Sequence, residues 1–155
     1  NTTIGSIPGA IPPMGGWTAA TGSLDVEAWL LFAILFFWQH PHFFAIAWVC
    51  RDDYEKAGFK MLPVMEKDGT RTIRQIFWHL TLLIPVSMLF YINGNSGWIY
   101  AIGVFILSLI FAGSAVPLVF NRTNKNALLI LKASVMYLPA LLILIIIDKV
   151  YYFGF

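Results

Sequence analysis

The sequence predicts an all-α fold, a polytopic membrane helix bundle of about five transmembrane helices, and three observations predict it. Hydrophobic residues make up 59% of the 155-residue chain and charged residues 12%, where an ordinary soluble domain is near half apolar and a quarter charged. Apolar runs close to the roughly 20 residues that cross a bilayer occupy most of the length. The Lys and Arg residues gather in two loops, the pattern of segments retained on one side of a membrane. No room is left for a second folded domain. A formal net charge of +2 gives no basic surface for nucleic acid, so no nucleic-acid partner is expected. The single cysteine, Cys50, excludes an internal disulfide framework and a Cys-x-x-Cys metal site, and reads as apolar filler near a helix end.

Five stretches follow in order. Residues 7–20 are interrupted by Pro8, Pro12, Pro13, Gly9, Gly15 and Gly16, which predicts a broken or partial helix packed against protein. Residues 29–50 are the clearest span, although Gln39, His40, Pro41 and His42 fall at mid-membrane depth, where polar groups are costly. Residues 76–92 form a shorter span containing Pro85, with Trp78 and Tyr91 as interfacial anchors. Residues 98–120 follow a turn of sequence Asn93-Gly94-Asn95-Ser96-Gly97. Residues 127–147 are the last span, with Asp148 and Lys149 expected to mark its exit.

Orientation follows from the loops, because Lys and Arg stay in the cytoplasm. Arg51, Lys56, Lys60, Lys67, Arg71 and Arg74 place loop 51–74 inside, and Arg122 and Lys125 do the same for the loop after the fourth span. The loops at 23–27 and 93–97 lack Lys and Arg and go outside. All five spans then alternate, and the C-terminus lies outside. The chain opens at Asn1 without the layout of a signal peptide, so a fragment or processed product is expected.

Two clusters carry potential chemistry. Arg51, Asp52, Asp53, Tyr54, Glu55 and Lys56 put three carboxylates and two cations at one end of the second span. Such carboxylates suit Mg²⁺ that also holds substrate phosphates; the plainer alternative is a solvated helix end that anchors the span. The second cluster is Gln39, His40, Pro41 and His42, whose side chains must line a cavity or bond to protein. If the helix runs unbroken past Pro41, Asp53 lies about 20° around the axis from His42 and roughly 16 Å further along it. The alternative for His42 is a bond to a backbone carbonyl freed by Pro41; His40, pointing elsewhere, is expected to be incidental. Trp29, Phe32, Phe36, Phe37, Trp38, Phe43, Phe44 and Trp48 make this span unusually aromatic, fit for sheltering a carbocation or stacking on a flat ligand, with lipid contact and packing as the default. His79 is either a haem ligand or a polar anchor.

Four segments carry a resemblance: Gly9-Ala10-Ile11-Pro12-Pro13-Met14-Gly15-Gly16-Trp17, Trp38-Gln39-His40-Pro41-His42-Phe43, Asp53-Tyr54-Glu55-Lys56-Ala57-Gly58 and Met61-Leu62-Pro63-Val64. In order and spacing they resemble the protohaem IX farnesyltransferases, or haem O synthases, of the UbiA-like intramembrane prenyltransferases. Residues 134–148 look like that family's last helix, so the resemblance covers essentially the whole chain, as the C-terminal half of a nine-helix bundle. It implies transfer of the farnesyl group of farnesyl diphosphate to a vinyl group of haem B, with Mg²⁺ serving the diphosphate. It implies Asp53 and Asp52 as catalytic and metal-binding residues and Lys56 as catalytic, with Arg51, Tyr54, Gln39, His42 and Trp38 binding substrate. A bacterial inner membrane, and haem A synthase or oxidase assembly proteins as partners, are implied too. The half that carries the family's first Asn/Asp-rich motif is missing, so this chain alone is expected to lack half of the active site. Two departures stand out. The superfamily's second motif is written Asp-x-x-x-Asp, whereas Asp52 and Asp53 are adjacent here, and His40 occupies a usually apolar position. The alternatives are a prenyltransferase for another acceptor, such as a quinone precursor, and a non-enzymatic haem-binding membrane protein that uses His42 and His79.

Overall fold

The structure, a computed structural model, describes residues 1–66 and 68–153; Lys67, counted above in the basic loop, lies outside the described residues. The helices are α1 (Thr2–Thr21), α2 (Val26–Val49), α3 (Arg51–Lys56), α4 (Leu62–Met65), α5 (Thr70–Ile92), α6 (Trp98–Phe120) and α7 (Asn124–Phe153). Four of the described helices, α2, α5, α6 and α7, are long and apolar enough to cross a membrane. They contact one another in a closed cycle, α2 to α5 to α6 to α7 and back to α2, while α1 packs on α2. The protein is thus an all-α integral membrane bundle, as expected.

α1 corrects one expectation. It is continuous rather than broken, with Pro8, Pro12 and Pro13 inside it. Each proline removes one backbone donor, but Pro8 and Pro12 are four residues apart and exposed, so their missing bonds fall on the face turned away from α2. The face toward α2 buries Ser6 and Ala10. There the backbones approach closely, because a Cβ on Gly9 would fall 2.2 Å from Gln39 Oε1.

Pro41 likewise leaves α2 unbroken, but the helix stops at Cys50 (φ −100, ψ 21) and α3 starts as a separate short helix. The straight extrapolation from His42 to Asp53 therefore does not hold. α5 begins six residues before the expected 76, because a tight cap forms ahead of it. Gly69 takes the left-handed conformation (φ 72), and the Glu66 carboxylate accepts the N–H groups of Arg71 at 2.6 Å and Thr72 at 3.0 Å. Arg71 and Arg74 thus belong to helix rather than loop. At the other end, Asp148 does not mark an exit. It is fully buried inside α7, and its carboxylate accepts the N–H of Gly97 at 2.5 Å and of Tyr100 at 3.0 Å, capping α6 from the neighbouring helix.

The bundle interior packs Ile34, Leu80, Leu83, Val104, Phe111, Ile130 and Leu141. It also holds a satisfied polar knot: Tyr137 Oη lies 3.0 Å from Ser87 Oγ and 3.1 Å from Ser108 Oγ, and Tyr100 donates to the Ser87 carbonyl. Ile102, Ile106, Ile110, Met136, Ile143 and Ile146 are exposed, as lipid-facing side chains are.

Both basic loops meet at one end of the bundle. Trp48 near the end of α2 packs on Gly69 before α5, Arg122 after α6 pairs with Asp68, and Asn1 before α1 touches Met61. At the opposite end Asn95 bonds Glu27 at 2.6 Å.

Candidate active site

α2 positions nearly every candidate residue. It packs against α1, α5 and α7, and successive side chains at about 100° intervals reach different neighbours. Trp38 and His42 share one face and turn to α7: the Trp38 indole N–H donates to the Ser134 carbonyl at 2.9 Å, and His42 Nδ1 lies 2.8 Å from Ser134 Oγ. The two rings stack with centroids 4.8 Å apart. Gln39 turns to α1, where its amide donates to the Ser6 carbonyl at 3.4 Å. Between these contacts α2 shows a half-open strip, with His42 and Trp38 half-buried and Phe43 exposed. The carbonyl-satisfying alternative for His42 is excluded here, because its partner is a side chain of another helix.

His40 points away from that strip and packs between α2 and α5. It is fully buried, its Nδ1 bonds the Phe36 carbonyl at 2.8 Å, and its ring stacks on His79 at 3.7 Å with 9° between planes. His79 Nδ1 is tied in the same way to the Gln75 carbonyl at 2.8 Å. His42 faces α7 and His79 sits against His40 on the α5 side of α2, so His42 and His79 do not converge on one haem. The stacked rings also cannot share one metal ion, whose bonds must lie close to each ring plane.

The acidic cluster sits on α3. Arg51, Asp52, Asp53, Glu55 and Lys56 are exposed and Tyr54 is half-buried. Arg51 Nε approaches Asp52 Oδ1 at 3.9 Å. Side-chain exposures of 46% and 84% make this a weak tether. Arg51, Asp52 and Glu55 line a hollow of about 290 Å³ with Pro63 and Val64. Among the described residues no three His, Cys, Asp or Glu side chains gather to hold a metal ion. Two adjacent, exposed carboxylates still fit Mg²⁺, which keeps waters and takes substrate phosphate oxygens rather than requiring a protein cage.

What joins the two clusters is aromatic. His42 meets Phe43 edge-on at 5.4 Å; Phe43 lines a cavity of about 210 Å³ with Tyr54, Phe59, Met61, Asn1, Thr2 and Gly5; and Tyr54 meets Phe59 edge-on at 5.9 Å. Ring faces thus run from Trp38 at mid-span to Tyr54 on the acidic helix. Sequence reasoning missed Ser134, the residue that holds Trp38 and His42. Its only signal was a hydroxyl within the apolar run of the last span.

Residues 1–138 match the profile of the UbiA prenyltransferase family, and the chain belongs to that family. Within it, the chain is similar to proteins named protoheme IX farnesyltransferase: 45% identical over 148 residues to that of Salinibacter ruber, covering 96% of this chain and 52% of the relative. Against that of Solibacter usitatus it is 46% identical over 149 residues, 96% of this chain and 51% of the relative. Against that of Gloeobacter violaceus it is 42% identical over 155 residues, 99% and 50%. The chain spans about half the length of the curated relatives it matches. No solved structure matches it.

Proposed function

We propose that this chain is the C-terminal half of an enzyme that transfers the farnesyl group of farnesyl diphosphate to a vinyl group of haem B, giving haem O. The observation that carries the reading is the aromatic path from Tyr54 on the acidic helix to Trp38 and His42 at mid-span. It gives a diphosphate bound at α3 a sheltered route for its polyprenyl tail.

In this reading Asp53 and Asp52 hold Mg²⁺, which when bound supplies positive charge beside the diphosphate. Lys56 and Arg51, exposed on the same short helix, interact with the phosphate oxygens and stabilise the charge that develops as the allylic C–O bond breaks. The bond's electron pair leaves with the diphosphate. Tyr54, Phe43 and Trp38 keep water from the allylic cation and present their ring faces to it. The terminal vinyl carbon attacks the cation, and the positive charge moves to the carbon beside the porphyrin, where water adds. Gln39 and His42 orient the acceptor and that water. The remaining carboxylate ligands come from the half of the enzyme that bears the family's first acidic motif.

The end that gathers Arg51, Lys56, Lys60, Arg71, Arg74, Arg122 and Lys125 faces the cytoplasm of a bacterial inner membrane, with the C-terminus outside. Haem A synthase and oxidase assembly proteins are the proposed recipients of the product.

The test is mass analysis of haems from membranes of cells lacking haem O synthase, after expression of this chain with and without a matching N-terminal half. Farnesylated haem in the combined sample alone is expected. Its absence, with both halves inserted, would overturn the reading. Asp53→Asn should abolish product without affecting insertion, since Asp53 is exposed on the short helix α3.

A further inference from the structure

The protons around Ser134 can be assigned one by one. Ser134 Oγ has a single hydrogen and donates it to the Leu131 carbonyl at 2.6 Å, an acceptor with no hydrogen of its own. Toward His42 Nδ1, at 2.8 Å, the hydroxyl oxygen must therefore accept. The neutral form of His42 then carries its ring proton on Nδ1 and bears a lone pair on Nε2. The Ser134 carbonyl meanwhile takes the Trp38 N–H at 2.9 Å, and Trp38 lies against the imidazole face with 19° between planes. One residue of α7 thus sets both the tautomer and the plane of His42. His40 has the same tautomer, with Nδ1 committed to the Phe36 carbonyl, but its Nε2 is buried without a partner. His42 Nε2 is not closed off in this way, and His42 itself is half-buried beside the exposed Phe43.

We infer that His42 Nε2 is the proton acceptor for the hydration step, and that Ser134 is the positioning residue that keeps it one; this rests on the farnesyl-transfer reading above. Once the farnesyl carbon has bonded to the vinyl terminus, the cation beside the porphyrin needs one water. His42 Nε2 accepts a hydrogen of that water, which turns an oxygen lone pair toward the cation. As the C–O bond forms, the O–H electron pair returns to oxygen and the proton passes to Nε2. The product is the alcohol, and the imidazolium keeps its Nδ1–H bond to Ser134 until it releases the proton. When the water is not held, the cation loses a proton from the neighbouring methylene instead, giving an alkene lighter than the alcohol by one water. His42 lies at mid-membrane depth, where an ionisable side chain is costly and marks a functional position by default.

The experiment reads the alcohol-to-alkene ratio of farnesylated haem, by mass, from the chain combined with a matching N-terminal half. Ser134→Ala should lower the alcohol share several-fold whatever the total, Ser134→Thr should restore it, and His42→Phe should lower it by about a hundredfold or more, the scale of lost general-base catalysis. An unchanged ratio in both Ser134→Ala and His42→Phe would overturn the assignment while leaving farnesyl transfer intact. Loss of the haem absorption signature of the purified complex in His42→Phe would also overturn it, making His42 an iron ligand. No farnesylated haem from the unmutated pair would instead sink the farnesyl-transfer reading, and this assignment with it.

Discussion

The Asp148 carboxylate accepts the backbone N–H of Tyr100 at 3.0 Å, so α7 supplies the cap that the start of α6 lacks in its own sequence, where Gly97 has no side chain to offer. Asp148→Ala leaves the Gly97 and Tyr100 donors unpaired in a buried site, which costs about 2–3 kcal/mol for bonds to a charged acceptor. Thermal unfolding in detergent should show that loss. Asp148→Asn, which keeps one acceptor oxygen, should lose about half as much.

Gly69 and Gly94 separate two causes of glycine dependence. Both have positive φ, 72 and 76. A Cβ on Gly69 would fall 2.2 Å from the buried Trp48 ring, whereas Gly94 has open space. Gly94→Ala should cost only the left-handed backbone penalty of about 1 kcal/mol. Gly69→Ala should cost that and a displaced Trp48, at least about 2 kcal/mol in all, by the same unfolding measurement.

α1 docks on α2 through an absent side chain. Gly9→Val puts carbon where Gln39 Oε1 now sits and should break the Gln39 to Ser6 bond. Engineered cysteines at Ser6 and Gln39's neighbour Phe43 should then cross-link several-fold less efficiently than in the parent chain. Gly5→Val, with nothing within 4 Å, should leave the yield unchanged.

Asp68 has a carboxyl held below its ordinary value of 3.8, chiefly by the Thr70 hydroxyl and N–H, with Arg122 adding to the effect. A lowered folded-state value gives stability that is present above the unfolded value and is lost as pH falls through the folded one. The group is exposed, so the contribution is small; it is present above about pH 4, and its loss is confined to more acid solution. Thr70→Val should raise the Asp68 titration midpoint toward the ordinary value in an NMR titration.

Much of this was legible in the sequence. Apolar length located the four spanning helices, and the Lys and Arg distribution foretold that both basic loops share an end. The aromatic and histidine-rich character of α2 pointed to the strip that carries the proposed chemistry. What the sequence did not disclose depends on distance along the chain. Ser134 lies 92 residues from His42 and Asp148 lies 48 from Tyr100, and no local pattern announces such pairs. Asp148 beside Lys149 reads as a span's polar edge unless one knows which helix end lies opposite. The continuity of α1 was hidden because three prolines argue against a helix, and only the tertiary contact shows that two of them, Pro8 and Pro12, face away from α2.

The contact between α2 and α7 has a bearing on biosynthesis. Helices joined by short turns meet as soon as both have emerged, but α2 must wait for α7, made after α5 and α6, before Trp38 and His42 find Ser134. Until then His42 is free to take either tautomer and any orientation. A chain inserted only as far as α6 therefore lacks the partner that orients His42, and this part of the proposed site takes shape only when α7 has closed the helix cycle.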